Sequence, residues 1–208
     1  MRILIADDHS VVRKGLRQIL LEGFPNAEVQ EVGDADELIR QVMKSAWDVV
    51  ISDLSMPGRS GLEAIQQIKQ IRPELPVLIL SIYPEEQYAI RLLKAGASGY
   101  LNKDMAPEEL VNAVQRVMLG KKYITPNIAE KLAAGLDKDS ERSSHELLSD
   151  REFSVLKMLA AGKSVSEIAE TLYLSVTTVS TYRTRILTKM NLKTNADLTL
   201  YAIEHKLL

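Results

Sequence analysis

Short apolar runs alternate with amphipathic stretches through the first 120 residues, and beyond them only helical periodicity remains. Runs at 2–6, 28–32, 48–52, 76–80 and 98–101 have strand length, and those at 2–6, 48–52 and 76–80 are nearly continuous in apolar residues, as in a parallel sheet buried on both faces. Between them, helical spacing occurs at 11–21, 36–44, 61–71, 85–95 and 107–119; Leu62, Ile65 and Ile68 mark one apolar face. Five β/α units with right-handed crossovers place helices on both sides of a parallel sheet and gather the loops after the strands at one edge.

After Gly120 the pattern changes. Residues 124–136 can form one helix, and the polar run Asp137-Lys138-Asp139-Ser140-Glu141-Arg142-Ser143-Ser144 reads as a tether. Four helices follow, at 150–161, 165–172, 176–190 and 195–205. Ser149 with Glu152 and Ser164 with Glu167 have the spacing of capping boxes, and Ser175 and Thr194 are single N-cap candidates. The expected organisation is an α/β module at 1–120, a linker at 121–146 and an all-α module at 147–208.

Composition adds exclusions. The chain has 208 residues, enough for two small domains, with 46% hydrophobic and 26% charged residues, a globular balance. Absence of cysteine rules out disulfides and thiolate chemistry and suits a reducing cytoplasm. The opening Met1-Arg2-Ile3-Leu4-Ile5-Ala6 meets carboxylates too soon for a signal peptide, and no apolar run approaches membrane-span length, so neither secretion nor membrane insertion is expected. A net charge of −2 conceals a basic stretch from Ser175 to Lys193, which has Arg183, Arg185, Lys189 and Lys193 and no Asp or Glu.

The candidate chemistry lies at the strand ends. Asp7 and Asp8 follow the first strand, Asp53 the third, Ser81 the fourth and Lys103 the fifth, so a parallel sheet brings all five to one edge. Taken singly, Asp7 and Asp8 read as helix caps and Lys103 as a solvated charge; their joint placement reads as a site. Three carboxylates repel one another, and a hard cation such as Mg²⁺ relieves that with oxygen ligands. Hydroxyl and ammonium suit an incoming phosphoryl oxygen, and the loop Asp53-Leu54-Ser55-Met56-Pro57-Gly58 brings backbone groups alongside. The implied chemistry is phosphoryl transfer to a carboxylate.

These residues, with Gly99-Tyr100-Leu101, resemble the receiver domain of bacterial two-component response regulators over about residues 1–120. The resemblance implies a flavodoxin-like five-stranded parallel fold in which Asp53 accepts phosphate from a sensor histidine kinase. Asp8, Asp53 and the carbonyl of Ser55 would hold Mg²⁺, with Asp7 acting through water. Ser81 and Lys103 would engage the phosphoryl oxygens, and Tyr100 would change rotamer on activation. One position departs from the pattern: Asp104 follows Lys103 where many receivers place proline after a cis bond, and a cis bond without proline costs about 2.5–4 kcal/mol.

In the second module, 165–172 and 176–190 form a helix-turn-helix pattern. The outer face of the longer helix offers Thr177, Thr178, Ser180, Thr181, Arg183, Thr184, Arg185 and Lys189, with Lys193 just beyond it. Short hydroxyls permit close approach to a duplex, and the cations suit phosphates and guanine; Thr181 and Thr184 are expected at base edges, Lys189 and Lys193 nearer the DNA backbone. A helical bundle that binds protein explains the same periodicity. Leu148-Ser149-Asp150-Arg151-Glu152, Ser175-Val176-Thr177-Thr178-Val179 and Lys189-Met190-Asn191-Leu192 are similar to the effector domain of the NarL/FixJ (LuxR-type) regulators. That similarity implies double-stranded DNA as partner, a dimer contact on the last helix and homodimerisation on activation. The expectation is a cytoplasmic transcription factor, not an enzyme. One rival is a Mg²⁺-dependent phosphatase using Asp53 as nucleophile, in which Ser55 stands where the second acid/base carboxylate belongs; another is a DNA-binding protein with a vestigial receiver. The three histidines, His9, His145 and His205, are too dispersed in sequence to suggest a metal site.

Overall fold

The computed structural model describes residues 1–56, 61–136, 144–205 and 207–208. Pro57 and Gly58 of the loop after the third strand, and positions 137–143 of the expected tether, lie outside the described residues. The chain divides into two compact units, Met1–Asp139 and Ser140–Leu208.

The first unit holds strands β1 (Arg2–Ala6), β2 (Glu28–Val32), β3 (Val49–Asp53), β4 (Val77–Ser81) and β5 (Gly99–Asn102). Helices α1 (Ser10–Gly23), α2 (Ala35–Lys44), α3 (Gly61–Ile71), α4 (Glu85–Lys94) and α5 (Ala106–Met118) alternate with them. The strands form one parallel sheet in the order β2-β1-β3-β4-β5. Ile3, Ile5, Val49, Ile51, Leu78 and Leu80 share the face covered by α1 and α5, joined by Leu16, Leu20, Leu110, Val114 and Val117. The alternating residues Leu4, Val50 and Ile79 are equally buried, which explains why these strands read as continuous apolar runs.

Residues 121–136, expected within the linker, belong to the first unit. Tyr123 pairs with the open edge of β5: its N–H donates to the Ser98 carbonyl at 3.0 Å, and its carbonyl accepts from Tyr100 N–H at 3.1 Å. A Cβ on Gly99 would lie 2.8 Å from the Tyr123 carbonyl oxygen, so glycine is what allows this approach. The Tyr123 phenol donates to Glu109 Oε2 at 2.9 Å, and Thr125 Oγ1 donates to Glu85 Oε1 at 2.6 Å at the start of α6 (Pro126–Leu136), which packs on α4. The sequence signal was weak because one bridging residue leaves no strand-length pattern.

Burial, reinforced by the Glu109 carboxylate, pushes the Tyr123 phenol up to about 12. Because this folded-state value lies above the ordinary value of about 10, the stabilisation due to the phenol is complete below pH 10 and is lost as pH rises through about 12. Tyr123→Phe should therefore remove a late step from the tyrosinate absorbance titration, and an unchanged curve would contradict the assignment.

The second unit begins with a 3-10 turn (Ser144–Leu147), followed by α7 (Asp150–Ala160), α8 (Val165–Leu172), α9 (Val176–Met190) and α10 (Asn195–Glu204). Capping boxes start α7 and α8 as the spacing predicts. Thr194 and Asp197 form a third at α10, where aspartate serves as the returning carboxylate. Phe153, Leu156, Ile168, Val179, Ile186, Met190 and Leu198 are buried in its core. Between α8 and α9, Tyr173 takes a left-handed conformation with φ of 55° and Ser175 caps α9, giving the tight turn of a helix-turn-helix.

Candidate phosphoacceptor site and DNA-reading helix

Register builds the first site. Ala6 pairs with Ser52 and Ser81 with Asn102, so the next residues, Asp7, Asp53 and Lys103, converge where the connection reverses direction between β1 and β3. Asp53 and Ser81 are the last residues of their strands, one position further than the hydrophobic pattern indicates, because the backbone ladder continues past the apolar run.

Lys103 is the hub. Its Nζ lies 2.7 Å from Asp7 Oδ2 and 3.1 Å from Asp53 Oδ1, and all three side chains are largely withdrawn from solvent. Burial raises the pKa of Asp53, and Asp7 adds to the rise, outweighing the opposing effect of Lys103 and of the Ser55 backbone amide. Burial alone would depress Lys103, yet the carboxylates of Asp53 and Asp7 hold it above its ordinary value. The ammonium thus carries the charge balance of the buried carboxylates.

Asp7 also accepts the His9 N–H at 2.8 Å, while Arg13 donates to the Asp7 carbonyl at 2.7 Å. These bonds fix the turn into α1. Neither aspartate side chain caps that helix: His9 is its N-cap and carries no side-chain capping bond. His9 Nδ1 stands 2.7 Å from Asp8 Oδ1, and ligand atoms of Asp7, Asp8 and His9 all lie within 4.8 Å of one another. The imidazole therefore belongs to the site's rim, flanking the acidic pair as its loop position beside Asp8 suggests. The hard oxygens of Asp7, Asp8 and Asp53 match the donor set of Mg²⁺, whose charge would add to that of the ammonium in offsetting the carboxylates.

Gly61 closes the loop after β3, its N–H donating to the Leu54 carbonyl at 3.2 Å, and a Cβ there would come within 2.8 Å of that oxygen. On the far side, Ser81 is buried, its Oγ accepting the Tyr83 N–H at 3.1 Å. The Tyr100 phenol donates to the Tyr83 carbonyl at 2.8 Å and also contacts the Ser81 hydroxyl; burial pushes that phenol above its ordinary value. Ser81 and Tyr100 are thereby joined through the loop that leads into α4. The described peptide bonds include no cis bond; with Asp104 in place of proline, Asn102 Oδ1 accepts the Asp104 N–H at 2.9 Å and caps a 3-10 turn over Lys103–Met105.

On α9, Val179, Ile186 and Met190 face the core, while Thr177, Ser180, Thr181, Thr184, Arg185 and Thr188 are exposed. Three expected contact residues are engaged inside the unit. Thr178 joins the helix cap, its Oγ1 2.8 Å from Ser175 Oγ. Arg183 Nε donates to Asn195 Oδ1 at 2.7 Å. Lys189 Nζ lies 2.7 Å from Glu152 Oε2, a buried carboxylate that also caps α7. Lys193 is exposed beyond the helix end. A basic side chain on an amphipathic helix gives no sequence signal of a partner 37 positions earlier. His145 and His205, dispersed in sequence, both pack their rings on Tyr201 in this unit.

Known proteins share both halves of this arrangement. Residues 3–115 match the response regulator receiver domain family, and residues 146–202 match the luxR family of bacterial regulatory proteins. The oxygen regulatory protein NreC of Staphylococcus carnosus is 40% identical over 215 residues, spanning 100% of this chain and 99% of NreC. The response regulator UvrY of Escherichia coli K12 is 36% identical over 208 residues, spanning 100% of this chain and 95% of UvrY. Among solved structures, RcsB of Salmonella enterica serovar Typhimurium bound to promoter P1flhDC in the presence of phosphomimetic BeF3⁻ superposes with a TM-score of 0.60 at 30% identity, over 97% of each chain. With an acidic strand-end pocket in one unit, a helix-turn-helix in the other and full-length relatives combining the two, the chain belongs to the NarL/FixJ family of DNA-binding response regulators, which regulate transcription.

Proposed function

We propose that Asp53 accepts a phosphoryl group from a sensor histidine kinase, and that the phosphorylated chain dimerises and places two copies of α9 in major grooves of a promoter. The observation that carries this reading is the Lys103 ammonium bridging buried Asp7 and Asp53. That arrangement holds a counter-charge beside the acceptor oxygen. Mg²⁺, held by Asp7, Asp8, Asp53 and the Ser55 carbonyl, would supply the charge neutralisation that phosphoryl transfer needs. Lys103 and the Ser81 hydroxyl then engage the phosphoryl oxygens. Drawing Ser81 toward the phosphoryl group alters its contacts with Tyr83 and Tyr100, so the rearrangement reaches α4 and the Tyr123 segment on β5. We assign the receiver to the first unit, with the linker beginning beyond α6, and the DNA-binding domain to the second unit. A cytoplasmic setting fits this role, and among the described residues no helix is long and apolar enough to cross a membrane.

A promoter complex of RcsB with a phosphomimetic supports the coupling of the two halves. Two paired helices predict half-sites about one helical turn, roughly 10 base pairs, apart. With Arg183 and Lys189 engaged internally, Arg185 and Lys193 offer about four phosphate contacts per dimer, a contribution of about −3.6 to the slope of log affinity against log salt. Lys193→Ala should flatten the slope by about two units per dimer. Lys189→Ala should leave the slope unchanged but destabilise the second unit by about 1–3 kcal/mol, because buried Glu152 loses its ammonium partner. Binding titrations over a salt series, alongside thermal melts, test both. Equal slopes for Lys193→Ala and wild type would remove Lys193 from the interface.

A further inference from the structure

At 3.6 residues per turn, Thr177, Thr181, Thr184 and Thr188 fall within about 60° of one another on α9, opposite the buried Val179, Ile186 and Met190. Three of these hydroxyls are already committed as donors. Thr181 Oγ1 donates to the Thr177 carbonyl at 3.0 Å, Thr184 to Ser180 at 3.1 Å and Thr188 to Thr184 at 3.0 Å. This back-bonding selects one of the two rotamers open to a helical threonine. Threonine is also a poor helix former, so three of them in the exposed interior of one helix run against local propensity, as expected where recognition sets the residue.

We infer that this ridge reads the C5-methyl groups of thymine, making thymine within each half-site a specificity determinant and Thr181, Thr184 and Thr188 the residues that recognise it. In the major groove thymine presents an acceptor, O4, and a methyl group. Hydroxyls that have spent their protons on the helix offer O4 no donor; what the ridge retains for thymine is its own row of methyl groups, fixed in orientation by the same bonds. The inference rests on α9 being the groove-reading helix and specifies which chemical feature it reads.

The test uses the full-length chain treated with a small phosphodonor. A duplex is first selected from a random-sequence pool, then resynthesised with deoxyuridine in place of thymine in the half-sites, which deletes only the methyl. Affinity should fall about fourfold for each contacted methyl, the hydrophobic value of one methylene-sized group. Thr181→Val, which keeps the methyl, should preserve the discrimination between thymine and uracil at its position, and Thr181→Ser, which keeps the back-bonding hydroxyl, should abolish it. Sequence-selective binding that is indifferent to uracil overturns the methyl reading while leaving α9 as the reading helix. Failure to select any preferred duplex overturns both.

Discussion

Replacing Lys103 with methionine will destabilise the receiver unit by about 3 kcal/mol in the presence of a chelator, the lower end of the range for removing one partner of a buried ion pair. Asp7 and Asp53, both nearly inaccessible, would then face each other without the ammonium that bridges them at 2.7 and 3.1 Å. Proton uptake by Asp53, whose pKa burial already raises, limits the loss. Two further outcomes are specific to this geometry. Saturating Mg²⁺ should recover more stability in Lys103→Met than in wild type, because in wild type the ammonium already offsets much of the carboxylate charge. Asp53→Asn should stabilise Lys103→Met by more than it stabilises the chain that keeps Lys103, a non-additivity that marks a shared charge network. Thermal melts of full-length chains, following the receiver transition with and without Mg²⁺, read all three effects. Equal melting of Lys103→Met and wild type in chelator would show that the bridge carries no charge balance.

Asp53→Asn should lose phosphorylation entirely, seen as absence of the single phosphoryl mass gain after incubation with acetyl phosphate and Mg²⁺. The same substitution should stabilise the unmodified fold near neutral pH. Burial first, and Asp7 next, raise the Asp53 pKa above its ordinary value. A carboxyl raised in this way favours folding below its unfolded-state pKa and loses that contribution as pH rises through the folded-state value. The advantage of Asp53→Asn should therefore be largest at neutral pH and shrink toward pH 4. Labelling of the variant to wild-type level would move the acceptor elsewhere, and an advantage that grows on acidification would contradict the electrostatic assignment.

Much of this was legible in sequence because each local signal agreed with the next. Apolar runs gave all five strands, with ends displaced by at most one residue, and Ser-x-x-Glu spacing gave the starts of α7 and α8. Asp7, Asp53 and Lys103 could be brought together because parallel strands deliver their ends to one edge, a rule of topology needing no side-chain detail. Interactions lacking a periodic signature were hidden. The Tyr123 segment is held by one bridge on β5 and by the Glu109 and Glu85 contacts, none of which imposes a pattern on neighbouring residues. Helical spacing puts Lys189 on the polar side, but it carries no sign of the ion pair that Lys189 makes within the unit. Its partner, Glu152, was visible only as a helix cap. His9 was legible as a neighbour of the acidic pair, but its 2.7 Å approach to Asp8 depends on how the turn into α1 folds back.

Chemistry at Asp53 is expected to control DNA binding, a coupling between two units of one chain. Couplings of this kind typically change affinity by roughly 5- to 150-fold. The most direct measurement is the affinity of wild type and Asp53→Asn for one selected duplex, each with and without acetyl phosphate, at fixed Mg²⁺ and salt. Wild-type affinity should rise within that range on adding the donor while that of Asp53→Asn stays constant; equal wild-type affinity in the two conditions, with the phosphoryl group confirmed by mass, would show that phosphorylation of Asp53 does not control DNA binding.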